Sequence, residues 1–396
     1  MHLKETMNDS SGNITIARLF FSFFQLGMSA FGGLAMIPHM KGLTVTRNKW
    51  LDEETFRNGI VLCQTLPGAT AMQMAAYVGL KTRGIWGALA SYAGFGIPAF
   101  SLMLTLSVFY AGSRNLTQIV SLFTGLQVLV VAIIAHATFS FGRDSLKSFV
   151  DLSITAVSAA LFWWGVSPFA VILCASLGGV AFFKDTGQPL LPSHRKLREN
   201  KDVAKHLLIF LLLIGIGLAG LYGVDKKLFS LATMLLRIDL FAFGGGFASQ
   251  PLMFHEIVNV RGWLDSRTFM DGIALGQVTP GPIIITATFV GYLVSGLAGA
   301  LTATVAIFTP SFVLLVTITP FFDRLKGSRC FAGATRGVLA AIVGLLLYMT
   351  IKFAVAVPWE ISKVLFMLAM ACALFRRINL LLIVLIGSVI SVVVFR

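Results

Sequence analysis

Gly276-Gln277-Val278-Thr279-Pro280-Gly281-Pro282 interrupts a long apolar stretch, and Phe243-Gly244-Gly245-Gly246 stands upstream of it in the same kind of surroundings. In hydrocarbon every backbone N–H and C=O needs an internal partner, so such a break is tolerated only against protein or a water-filled cavity. Pro280 and Pro282 remove two amide donors. Gly281 supplies the dihedral freedom for a sharp redirection. Pro282 suits the first turn of a helix restarting through Ile283–Tyr292, whose leading N–H groups lack intrahelical acceptors and favour an anion.

A second copy lies upstream. Cys63-Gln64-Thr65-Leu66-Pro67-Gly68-Ala69 follows Phe31-Gly32-Gly33 as the later break follows its own Gly-rich element. Broken helices at matching places in two halves point to a transporter's binding site. The competing reading of a single break is a kinked packing helix, since Gly and Pro are common in membrane helices. Two breaks in register, each after a Gln and each paired with a Gly-Gly element, favour the site.

The chain has 396 residues, 57% of them hydrophobic and 12% charged, with a mean hydropathy of +0.86. Soluble domains carry roughly 25% charged residues, so this is an integral membrane protein. Its net charge of +14 sits in short loops between apolar runs, which suits topology and anionic lipid and argues against nucleic acid. Cys63, Cys174, Cys330 and Cys372 show no CxxC spacing and read as packing residues. The six histidines show no HExxH or paired spacing, so neither a metal nor any other cofactor is expected. The first apolar run carries Phe31-Gly32-Gly33 and is read as part of the fold, with no cleaved leader before it.

Residues 1–14 form a polar tail. Apolar runs follow at about 15–38, 58–80, 84–111, 116–141, 149–165 and 167–183, most near the ~20 residues of a tilted span. A basic loop precedes a seventh run at about 206–223. Six more lie at about 228–252, 268–292, 295–322, 331–353, 358–375 and 378–395. The expected fold is an all-α polytopic membrane protein of about 13 segments. A first repeat covers 15–183, a basic loop and linking helix 184–227, and a second repeat 228–396.

The duplication runs at an offset of 212 or 213. Trp50-Leu51-Asp52 matches Trp263-Leu264-Asp265, and Gln64, Pro67 and Gly68 match Gln277, Pro280 and Gly281; Val78-Gly79 matches Val290-Gly291, and Pro98 matches Pro310. Six runs plus one linking run place equivalent runs seven crossings apart, so the repeats are expected to be inverted. With the N-terminus inside, the cytoplasmic loops hold about twice as many Lys and Arg as the outer ones. The loop at 39–57 opposes this, with Lys41, Arg47, Lys49 and Arg57 outside, and is read as belonging to a hairpin that does not fully cross.

Arg237 and Asp239 lie mid-run, where charges face a cavity or each other. Arg237 is a candidate for drawing in an oxyanion, or a snorkelling residue. Asp239 is a candidate for ion or proton coupling or gating. Gln64, Thr65, Thr70, Gln73, Gln277, Thr279, Thr286 and Thr288 offer donors that replace part of an anion's hydration. Their competing role is bonding between helices. The candidate substrate-binding set is Gly32, Gly33, Gln64, Pro67, Gly68, Thr70, Gln73, Arg237, Gly244, Gly245, Gln277, Thr279, Pro280, Gly281 and Thr286.

The second half reads Phe243-Gly244-Gly245, Pro251-Leu252-Met253, Gly262-Trp263-Leu264, Phe269 and Gln277-Val278-Thr279-Pro280-Gly281-Pro282. This resembles the chromate ion transporter family over nearly the whole chain, as in its long two-domain members. The resemblance implies a secondary transporter of the cytoplasmic (inner) membrane that exports chromate, with sulfate as the similar tetrahedral dianion. The first half departs from the family pattern. It carries Pro67-Gly68-Ala69-Thr70 for the usual Pro-Gly-Pro-Asn, Lys41-Gly42 for an acidic–basic pair, and Asn48-Lys49 before Trp50 where the family has its Gly. The implied partners are the oxyanion and the bilayer, with a second copy of the chain as a candidate. The alternatives are a sulfate or other small-anion transporter, an anion channel, or a membrane-embedded lipid enzyme; an enzyme would need clustered His, Asp or Glu at one interface, and none stands out.

Overall fold

A computed structural model describes residues 14–29, 36–113, 116–183, 200–322, 328–376 and 378–395. The tail, the Phe31-Gly32-Gly33 element and most of the basic loop lie outside the described residues. Among the described residues the regular elements are all helical. In the first half these are α1 (Ile16–Ser29), α2 (Met36–Lys41, continued by a π turn Gly42–Arg47), α3 (Glu53–Thr65), α4 (Thr70–Ser113), α5 (Thr117–Ser145), α6 (Phe149–Trp163) and α7 (Pro168–Phe182). After α8 (Asn200–Val224) the order recurs. It gives α9 (Lys226–Phe241), α10 (Ser249–Phe254, with a π turn His255–Val260), α11 (Ser266–Val278), α12 (Thr286–Ile318), α13 (Arg329–Ala356), α14 (Ile361–Phe375) and α15 (Leu380–Val394).

Local chemistry repeats with the elements. Asp52 caps α3, accepting from the Thr55 N–H (2.7 Å) and hydroxyl (2.8 Å); Asp265 caps α11 through Thr268 in the same way (2.9 and 2.7 Å). The Thr55 donors hold the Asp52 carboxyl below its ordinary range. α4 and α12 each contain a reversal that only glycine adopts easily, at Gly84 (φ +62°) and Gly296 (φ +60°).

The runs at 58–80 and 268–292 are not single interrupted spans. Tyr77 donates to the Thr55 carbonyl (3.2 Å), and Gly59 lies against Tyr77 and Met74. Residues 53–65 and 70–82 therefore run antiparallel as a helical hairpin with Pro67-Gly68 at its tip. In the second half Gly272 lies against Phe289, and Gly276 sits where a Cβ would be 2.8 Å from Thr286 Oγ1, so 266–278 and 286–294 form the same hairpin. Each arm has about 13 residues, or roughly 20 Å, short of a core about 30 Å thick. The returning strand of each hairpin then doubles back along the rest of its helix. Gly79 meets Gly87 and Ser91 donates to the Ala75 carbonyl (2.7 Å), while Gly291 meets Gly299 and Thr288 Oγ1 lies 2.7 Å from Thr304 Oγ1.

The long arm 85–113 organises the interior. Before Pro98 it carries the first hairpin, with Met72 close to Gly96. Beyond Pro98 it carries the second, where Gly281 packs on Ala99, the Tyr110 and Phe289 rings lie 5.1 Å apart, and the Tyr110 hydroxyl donates to Asp271 Oδ2 (2.7 Å). α1 also returns: the Arg18 guanidinium donates to Asn48 Oδ1 (3.2 Å), bringing the end of the α2 turn back beside the start of α1.

The halves interlock. α6 and α7 pack on α13, with Thr155 donating to the Ala340 carbonyl (2.9 Å), while α14 and α15 pack on α5, with Ser391 donating to the Ser121 carbonyl (2.6 Å). Arg336 forks onto Asp151 (2.8 and 2.7 Å) and stacks on Phe183, fastening the start of α13 to the α5–α6 turn. Among the described residues five helices are long and apolar enough to cross a membrane, within α4, α5, α8, α12 and α13. The terminal pairs have 15 residues per helix.

A methyl group at either Gly–Gly contact has no room. Gly79→Ala and Gly291→Ala should each destabilise the protein by about 1–3 kcal/mol through overpacking, read as a lower melting point in detergent. Gly112→Ala, where nothing lies within 4 Å of the added atom, should leave the melting point unchanged.

Candidate site at two buried helix breaks

Gly68 and Gly281 share one backbone conformation, each with φ +110°. L side chains rarely adopt it, and neither site has space for one. A Cβ on Gly68 would strike Ser311 and stand 3.2 Å from Asp239 Oδ1, and a Cβ on Gly281 would lie 2.6 Å from that of Ala99. Ala99 and Ser311 are equivalent by the repeat. Each tip thus seats on the other half's long arm, one residue past Pro98 or Pro310.

The second half's Gly-rich turn covers the first break. Gly68 N–H donates to the Ala242 carbonyl (2.8 Å), Gly246 approaches Ala69, and Gly245 sits where a Cβ would be 3.1 Å from Thr70 Oγ1. Gly244, Gly245 and Gly246 all have positive φ, a run no other residue type sustains. Gly244 also faces the Phe141 ring.

Most of the polar residues singled out from sequence gather here. Thr70, Gln73, Gln277, Thr279 and Thr286 are buried, as are Pro67 and Pro280. Gln73 Nε2 donates to the Pro67 carbonyl (2.6 Å), closing the first turn. Thr279 donates to the Gly276 carbonyl (3.0 Å) and Thr286 to that of Ile283 (3.0 Å). Asp239 is fully buried, with Oδ2 accepting from Ser311 N–H (2.7 Å). Five buried side-chain atoms have no hydrogen-bond partner among the described residues: Thr70 Oγ1, Gln73 Oε1, Asp239 Oδ1, Gln250 Oε1 and Gln277 Nε2. All five belong to the breaks or to the helices that meet them. Buried polar atoms are ordinarily paired, so these five stand out among the described residues.

Two candidates stand apart. Gln64 is exposed, unlike its counterpart Gln277. Arg237 does not face the breaks: its guanidinium pairs with Glu256, which also takes Arg261, and lies over the Phe169 ring at 4.2 Å. The two-residue spacing sends Asp239 inward and Arg237 to a half-exposed surface, so the geometry gives Arg237 an ion-pair role in place of an anion contact. Gly32 and Gly33 lie outside the described residues.

Sequence reasoning passed over Gln250, Ser311, Tyr92 and Asp271. Gln250 Nε2 donates to the Ile283 carbonyl (3.0 Å) and to Thr286 Oγ1 (3.1 Å). Tyr92 donates to the Phe308 carbonyl (2.7 Å) beside Ser311. Asp271 accepts from Tyr110 and from Gln127 Nε2 (2.7 Å). A carboxylate inside an apolar run is a functional signal in its own right, and Asp271 could have been found that way.

The described residues form a helical protein with several apolar helices long enough to span a membrane and two broken hairpins in register, and the comparisons give its class. The family described as Chromate transporter matches residues 17–180 and again 229–392, so the chain belongs to the chromate transporter family, whose members are transporters and not enzymes. The chain is 40% identical to an uncharacterized transporter of Methanocaldococcus jannaschii over 390 residues, 98% of this chain and 96% of that one. It is 30% identical to the chromate transport protein of Cupriavidus metallidurans over 356 residues (87% and 85%), and 30% identical to that of Pseudomonas aeruginosa over 357 residues (85% and 80%). No solved structure matches.

Glu256 holds two guanidiniums, so the outcomes of cutting the cluster are unequal. Glu256→Ala leaves two like charges facing each other and should lower the melting point clearly. Arg237→Ala leaves Glu256 paired with Arg261 and should cost about 0–1 kcal/mol, as for exposed pairs.

Proposed function

We propose that the protein exports chromate across the cytoplasmic membrane by binding the dianion between the two breaks, with the repeats inverted and the N-terminus inside. The observation that carries this is the pair of φ +110° tips, each seated on the other half's arm, with unpartnered buried polar atoms on the helices that form or meet them. The helix restarting at Thr70 and the short turn Ile283–Ile285 leading into α12 begin at those tips. Their first N–H groups, the Gln277 amide and the Thr70 hydroxyl are the donors offered to an oxyanion.

Inversion is supported by the two hairpins lying on opposite stretches of the arm 85–113. The basic residues support the orientation. If α1–α2 and α3–α4 both return to the side they start from, Lys41, Arg47, Lys49 and Arg57 join Arg18, Lys81 and Arg83 inside. The one loop that opposed the charge rule then obeys it. Arg261 and Arg267 move outward. An inside-negative potential favours outward movement of a dianion by about 2.3 kcal/mol per charge per 100 mV, so export needs no further driving ion.

Sulfate remains the second substrate to test, because Ala69-Thr70 departs from the family pattern in the tip that would contact the anion. Chromate uptake into inside-out vesicles should saturate and be inhibited by excess sulfate less than by excess unlabelled chromate. Gln277→Ala and Gly281→Ala should each lower the rate at least ~10-fold with the protein still in the membrane, as when a positioned group is lost. Unchanged rates in both variants would remove the breaks from the site, and flux without saturation would indicate a channel.

A further inference from the structure

The two breaks are alike in backbone and unlike in chemistry. At the second, the unpartnered atoms are an amide N–H group, Gln277 Nε2, and one oxygen, Gln250 Oε1. At the first they are oxygens only: Thr70 Oγ1, Gln73 Oε1 and Asp239 Oδ1, on residues 1%, 0% and 0% exposed. Gln73 cannot turn its amide to offer N–H instead, because Nε2 already serves the Pro67 carbonyl, where only a donor fits. Asp239 Oδ2 is taken by Ser311 N–H, and Oδ1 is directed at Gly68. The positions equivalent to Asp239 and Ser311 are Gly27 and Ala99, so the second break has no carboxylate.

Two of these oxygens stand on the Pro67–Gln73 turn and the third, Asp239 Oδ1, reaches that turn at Gly68. The Gln73 amide is fixed at Pro67, the Asp239 carboxyl at Gly68, and Thr70 follows two residues on. To an anion these side chains offer only the Thr70 proton and the second N–H of Gln73 Nε2, so at this tip the dianion depends chiefly on the leading backbone N–H groups, and the three oxygens are left for another ligand. Among the described residues Asp239 makes no ion pair: Arg237, two residues away, is turned to Glu256 and Phe169. A buried carboxylate without a counter-charge is costly.

We propose that the first break is a binding site for a small monovalent metal cation of the sodium class, liganded by Asp239 Oδ1, Gln73 Oε1 and Thr70 Oγ1. All-oxygen ligation suits a hard cation, and a single carboxylate suits one positive charge better than the several anionic ligands calcium collects. A proton would answer one of the three oxygens; a metal ion answers all of them. The inference deepens the transport reading and rests on it for its purpose. An inward sodium gradient adds to the membrane potential as a driving force for export when the two ligands occupy the site in alternate states.

The test uses purified full-length protein without chromate, its melting point followed as sodium chloride replaces choline chloride at constant ionic strength and pH. Wild type should show a saturable rise in melting point. Gln277→Ala should keep it, Asp239→Asn should abolish it, and Gln73→Ala and Thr70→Ala should each weaken half-saturation at least ~10-fold, as loss of a metal contact does. The two milder variants carry the test if Asp239→Asn fails to fold. No sodium-specific rise in wild type, or an undiminished rise in all three first-break variants, overturns the proposal. So does a parallel pH series in choline chloride that raises the melting point while sodium does not, which would identify a proton. Vesicle flux separates this from the transport reading. A sodium shift in a protein that carries no chromate keeps this site and removes that reading. Chromate flux without any sodium shift does the reverse.

Discussion

A turn of backbone in the middle of a membrane survives only where protein covers it, because each exposed N–H or C=O there costs several kcal/mol. That requirement explains why the halves cannot be separate domains. The first tip is covered by the second half, through the Ala242 carbonyl on Gly68 N–H and the Gly244–Gly246 turn over Ala69 and Thr70. The second tip leans on Ala99 of the first half. The terminal helix pairs repeat the exchange on α13 and α5. Each half therefore covers the break of the other.

The hairpin geometry follows from length. Arms of about 13 residues reach only to the level of Pro98 and Pro310, so the chain must return and start again along the same path. Small residues permit the return: Gly79 on Gly87 and Gly291 on Gly299 bring backbones together as bulky side chains would not. The proline one residue before each seat, Pro98 or Pro310, lies inside the helix and withdraws one amide donor where the tip docks. At Pro310 the neighbouring Ser311 N–H is directed to Asp239.

Much of this was legible in the sequence because it rests on residues with few roles. Pro-Gly breaks, their repetition at an offset of 212 or 213 and the Gly-rich partner in the second half marked where the chain turns inside the protein. Asp52 and Asp265 recur in the repeat, and only the structure shows that they cap the hairpin starts. Hydropathy could not show that 58–80 folds back on itself, since a hairpin of two apolar helices has the same composition as one span. The fault was equal in both halves, so the parity argument for inversion was untouched. Nor could spacing settle Arg237. Its partner Glu256 lies nineteen residues on, beyond a Gly-rich turn, and only folding brings the two together. Ser311 and Tyr92 were silent for a simpler reason: a serine or tyrosine in a membrane helix is commonplace until a neighbour gives it a task.

The most direct measurement is the side from which each hairpin reaches water. In a background with Cys63, Cys174, Cys330 and Cys372 replaced, Thr82→Cys and Ser295→Cys place single thiols at the two equivalent reversals beside Gly84 and Gly296. A membrane-impermeant maleimide should label the first only in inside-out vesicles and the second only in intact cells. Labelling of both from the same side would contradict two hairpins meeting tip to arm from opposite faces, and the shared chamber with it.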